Sequence, residues 1–166
     1  VITDSTLAAD AMSLIDAANT GAVTVDVLDD ANAVAAEVTG SNGAGDLDEA
    51  NTVVVSGGDV TAAEAAAIQS ISGYNDSASD YDITDNAAAL ISATDSVLDK
   101  AGVDTVSVTG GPVLADTGEK LAELSKDVAF DVLDTADNVA AEVTGIGNTL
   151  DDLDEAADVV VSGGDV

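Results

Sequence analysis

The chain repeats itself, and that restricts its fold more than any other feature. Residues 25–40 read VDVLDDANAVAAEVTG, and residues 130–145 read FDVLDTADNVAAEVTG, 105 positions later. A second phrase follows each copy: DLDEANTVVVSGGDV at 46–60 and DLDEAADVVVSGGDV at 152–166, now offset by 106. One residue has therefore been added in the intervening loop. Self-similarity of this kind marks architectures in which one supersecondary unit stacks on the next. It also argues against a single active site, which needs unlike residues brought together once.

Finer reading divides the chain into half-units, each a β-rich run, a turn and an Ala-rich run of helical period. The β-rich runs are Val1–Thr3, Val23–Leu28, Thr52–Val55, Tyr81–Thr84, Thr105–Thr109, Ala129–Leu133 and Asp158–Val161. Two types alternate. Type A carries an Asp after the strand (Asp29, Asp85, Asp134). Type B carries a Gly pair (Gly57–Gly58, Gly110–Gly111, Gly163–Gly164), except in the opening half-unit. Ala31, Val34, Ala35 and Val38 fall on one helical face, as do Ala136, Val139, Ala140 and Val143. Leu7, Ala11, Leu14 and Ile15 suggest another such face, and Leu114, Leu121 and Leu124 a fourth. Gly40 and Gly145 stand where a left-handed residue would end a helix.

Strands alternating with short helices predict an α/β fold with parallel strands and right-handed crossovers. The repetition favours a β-α solenoid, with a parallel sheet on one side and short Ala-rich helices on the other. An open doubly wound parallel sheet is the alternative. The expected layout is one array over 1–166: a partial type B coil at 1–22, A+B repeats at 23–79 and 80–128, and a third repeat at 129–166. The chain opens and closes inside the repeat pattern, so it is expected to be a piece of a longer array.

The charge decides which partners are open to it. Thirty-three Asp and Glu face three Lys, for a net charge of −30. Nucleic acid and anionic lipid surfaces both need basic residues to meet their phosphates, so neither is an expected partner. No apolar run approaches the ~20 residues of a membrane helix. Without His, Cys or Arg, the common nucleophile–base pairs and anion clamps are missing, and the expectation is that the chain is not an enzyme. Ser125–Lys126 is a formal dyad, but adjacent residues of a helix point apart. The Gly pairs sit where phosphate loops sit, yet no Gly-x-Gly-x-x-Gly follows a strand, and Gly118-Glu119-Lys120-Leu121 lacks the Walker pattern. They read as recurring tight turns.

The type A Asp residues read as helix N-caps, accepting from free backbone N–H groups. Successive type A strands would lie nearly ~10 Å apart, twice the ~4.8 Å strand spacing, which is too far for one calcium ion to bridge. The acidic segments are better candidates for calcium, which takes six to eight oxygen ligands. One holds Asp46, Asp48 and Glu49, and its repeat partner holds Asp151, Asp152, Asp154, Glu155 and Asp158. A third holds Asn75, Asp76, Asp80 and Asp82. None has EF-hand spacing. A hydrated acidic surface suited to a saline habitat is the competing explanation.

The phrase YDITDNAAALISATDSVLDKAGVDTVSVTGG at 81–111 resembles repeats of giant bacterial cell-surface proteins, the RTX-like adhesins exported by type I secretion. Their pattern is aromatic-x-Ile/Val-x-Asp-x-Ala-x-x-Leu followed by a Val-rich strand, and the likeness extends over essentially the whole chain. It implies an extracellular structural role: adhesin stalk, filament or surface-layer building block. The nonapeptide calcium repeats of RTX proteins are absent from this sequence, so the resemblance does not carry a calcium roll over to it. The expected partners are neighbouring repeats or other copies, joined end to end through open β edges. A module binding a glycan, a protein or a crystal surface, and an acidic α/β enzyme, are the other classes considered.

Overall fold

The computed structural model describes residues 6–18, 25–40, 45–144, 153 and 155–163. In chain order these form α1 (Ala9–Ala18), β1 (Asp26–Asp29), α2 (Ala31–Thr39), α3 (Gly45–Asp48), β2 (Thr52–Val60), α4 (Ala62–Gln69), a 3-10 turn (Asp76–Ala78), β3 (Asp80–Asp85), α5 (Ala87–Ser92), α6 (Asp95–Leu98), β4 (Val103–Val108), α7 (Ala115–Ala122), β5 (Val128–Ala129), β6 (Asp131–Asp134), α8 (Ala136–Thr144) and β7 (Asp158–Val161). The fold is α/β. A five-stranded sheet has the order β1-β2-β3-β4-β5, following the sequence, and β6 pairs with β7. The registered pairs are parallel. By internal contacts the chain divides into Val1–Ile83 with Lys100–Asp104, and Thr84–Asp99 with Thr105–Val166.

In the first unit, β2 does two jobs. Its first half pairs with β1, Asp26 opposite Thr52 through Asp29 opposite Val55. Its second half pairs with β3, Asp59 opposite Asp82 and Val60 opposite Ile83. Between the halves the register shifts at Ser56/Asp59, where Gly57 and Gly58 take φ of 74° and 92°. The Gly pair therefore lies inside a strand and turns it, rather than ending it as the sequence suggests. Left-handed backbone costs an L side chain roughly 1–2 kcal/mol. At Gly58 a Cβ would also come within 2.9 Å of the Asn32 amide nitrogen.

Ala and Val make up most of the buried apolar residues, and larger side chains such as Met12, Leu47, Ile68, Tyr81, Ile83 and Leu121 are buried with them. α2 buries Ala31, Val34, Ala35 and Val38, the face its periodicity predicts. α4 buries Ala62, Ala65 and Ile68, and starts with a full capping box between Thr61 and Glu64. α1 differs from expectation. It buries Ala9 and Met12, whereas Leu14 is 72% exposed and Leu7 forms a parallel bridge to Val27. Ala is apolar on every face of an Ala-rich helix, so the pattern does not fix which stripe goes inward. Gly40 is extended (φ −74°), not left-handed; its constraint is the Ala36 carbonyl oxygen, 2.6 Å from where a Cβ would sit. Gly145 falls outside the described residues.

In the second unit, α7 buries Ala115, Gly118 and Leu121. Leu114 lies before the helix and is 56% exposed. Gly118 permits close approach: a Cβ there would stand 3.1 Å from both Phe130 Cε2 and Val132 Cγ2. β7 spans Asp158–Val161, the bounds its sequence indicates.

Candidate functional site

The sequence repeat is a repeat of hydrogen bonds. Leu7 N donates to Asp26 O (2.9 Å) and Val113 N to Asp131 O (2.8 Å). Leu28 N donates to Leu7 O (2.9 Å) and Leu133 N to Val113 O (2.9 Å). Asn51 N donates to Val25 O (2.8 Å) and Ala157 N to Phe130 O (2.8 Å). β6 and β7 keep the register of β1 and β2, with Asp131 opposite Asp158 as Asp26 is opposite Thr52. Each unit thus carries its own copy of one local structure.

At the centre of each copy is the type A aspartate. Asp29 Oδ1 accepts from Asp30 N (2.9 Å), at the start of α2, and its Oδ2 accepts from Ala9 N (3.0 Å), the first residue of α1. Asp134 Oδ1 accepts from Thr135 N (2.7 Å), and its Oδ2 from Ala115 N (3.1 Å), the first residue of α7. One carboxylate therefore serves two helix starts, where free N–H groups and the helix dipole favour negative charge. α7 needs it, because its own N-cap position is Leu114, which offers no side-chain acceptor. The residue before α1 is Ala8, with the same deficiency.

This corrects the expectation that Asp29, Asp85 and Asp134 are N-caps of the helices following them. The caps are one residue later: Asp30 accepts from Ala33 N (3.0 Å), Asn86 from Ala89 N (3.0 Å) and Thr135 Oγ1 from Asn138 N (3.4 Å). The three internal copies held a signal for this. Asp is the same in all three, whereas the following residue is Asp, Asn or Thr, all of them capping types.

Asp134 is the more enclosed of the two, 7% exposed. Asn138 Nδ2 adds a further bond of 2.7 Å to its Oδ1; the equivalent position in the first unit is Ala33. The Asn138 amide first, then the Thr135 and Ala115 N–H groups, hold the Asp134 carboxyl below the ordinary carboxylate range, against the opposing push of burial. A cleft of about 200 Å³ opens beside it, lined by Leu114, Asp116, Asp134, Asn138, Ala141 and Glu142. That is below the ~300 Å³ at which ligand pockets begin.

A second polar cluster lies in the first unit. Tyr81, 1% exposed, accepts at its hydroxyl from Gln69 Nε2 (2.8 Å). Burial pushes the Tyr81 phenol up, and it pushes Tyr74 up further, with the neighbouring Tyr81 hydroxyl adding to it. Both stay neutral at ordinary pH. Asp76 accepts from Ala101 N (3.2 Å) and Gly102 N (3.0 Å), fixing the turn before β4. Ser79 Oγ accepts from Val55 N (3.1 Å) and donates to Asn75 O (2.8 Å).

Among the described residues, the calcium candidates fall on or beside α3, the 3-10 turn, β3 and β7. Asp46 and Asp48 fall in α3, where Asp48 Oδ1 accepts from Ser72 N (2.7 Å). Glu49 is exposed on the turn after it. Asp76 is engaged as described, and Asp80 is exposed on β3, opposite Ser56. Glu155 and Asp158 are exposed; Asp151, Asp152 and Asp154 lie outside the described residues. Among the described residues, no three Asp or Glu converge in a metal-holding group. Ser125 Oγ donates to the Asp99 carboxylate. No helix among the described residues is long and apolar enough to cross a membrane. No protein-family model matches the chain, and neither a curated protein nor a solved structure matches it.

Proposed function

We propose that this chain is a structural repeat segment of an extracellular bacterial surface protein, serving as a spacer or adhesive stalk, a filament or a surface-layer block. Its architecture in this reading is a β-α solenoid. The observation that carries it is the paired hydrogen-bond pattern around Asp29 and Asp134, reproduced at the offset of the sequence repeat. The strand order supports the solenoid over the doubly wound alternative. Strands β1 to β5 lie in sequence order, whereas a doubly wound sheet reverses its order at a switch point.

The work of such a segment is mechanical. Each half-unit buries Ala and Val against the next, and the carboxylate staples tie the helix starts of successive half-units together. The acidic surface stays hydrated, or takes up calcium in the segments named above. The reading assigns no reaction to the chain.

Small-angle scattering on tandem fusions of one, two and three copies tests this reading. Val166 occupies the repeat position of Leu7, so joining Val166 to Ala8 keeps the phase. The expected result is a rod of constant cross-section that lengthens by about 4.8 Å per added half-unit. Independent globules on a string, with a cross-section that varies between samples, would overturn it. Repeating the series in calcium and in magnesium assigns any calcium-specific stiffening.

A further inference from the structure

No further inference is drawn: the strongest candidate, the cleft beside Asp134 lined by Leu114, Asp116, Asn138, Ala141 and Glu142, belongs to the aspartate staple already described, because its buried carboxylate is met by Thr135 N, Ala115 N and Asn138 Nδ2 and nothing in the structure points to a ligand for the acidic residues around it.

Discussion

Replacing Asp134 with Ala is expected to lower the thermal midpoint by an amount on the order of 5–10 °C, and replacing Asp29 with Ala by less. Each change frees a helix-start N–H that has no other side-chain cap, at Ala115 or at Ala9. A hydrogen bond to a charged group is stronger than a neutral one, and leaving its partner unmet adds a desolvation penalty. The Asp134 change costs more because the site is enclosed and Asn138 also loses its acceptor. Its pH dependence has a definite sign. The folded-state pKa of Asp134 is lowered, so its contribution is fully present above the unfolded carboxylate value of about 3.9 and fades as pH falls through the folded value. Protonation of the other carboxylates works the other way, by relieving repulsion at a net charge of −30. The difference between wild type and Asp134→Ala cancels that background. It should be constant above about pH 5 and shrink in more acidic solution. A gap that widens on acidification would contradict the staple.

Gly102→Ala is expected to cost about 1–3 kcal/mol in urea unfolding, through overpacking. A Cβ at Gly102 would stand 2.7 Å from the Tyr74 hydroxyl and 2.9 Å from both the Asp76 carbonyl oxygen and Ser79 Cβ. Neither the carbonyl nor Ser79 can yield cheaply. Gly102 N binds Asp76 Oδ1, Gly102 O accepts from Tyr81 N (3.0 Å), and Ser79 Oγ bridges Val55 and Asn75. Pushing one apart disturbs the join of β3 to the turn before β4. Gly110 supplies the contrast. It has φ of 96° and open space where a Cβ would go, so its Ala variant suffers only the left-handed backbone cost of roughly 1–2 kcal/mol. Leu in place of Ala, which adds bulk without branching at Cβ, should worsen position 102 sharply and position 110 little. Equal responses at the two sites would overturn the distinction.

Local pattern carried much of the fold. The α2 face of Ala31, Val34, Ala35 and Val38 and the bounds of β7 are readable because Val and Ala fall at fixed spacing there. The α1 face was not, since Ala9 and Met12 go inward while Leu14 stays out, a choice made by the packing partner rather than by the helix. The Gly57–Gly58 pair looks like a strand end because glycine usually interrupts strands, and only the partner change from β1 to β3 shows that the strand runs through it. The aspartate staples were half legible. Asp29 and Asp134 stand out as fixed acidic residues at helix starts, but the second oxygen of each answers a residue about twenty positions earlier, beyond any local capping rule. The acidic segments show the reverse case. Clustered in sequence, Asp76 and Asp80 take different roles, one holding a turn and the other exposed on β3.

The most direct measurement of the central claim, that the sequence repeat is a stack of mutually supporting half-units, is thermal unfolding of two tandem fusions. In one, Val166 is followed directly by Ala8, in phase; in the other, a flexible linker separates two full copies. Nearest-neighbour coupling predicts that the in-phase fusion unfolds cooperatively, several degrees above the single chain, while the linked pair melts at the single-chain temperature. Identical midpoints for both fusions and the single chain would contradict the account.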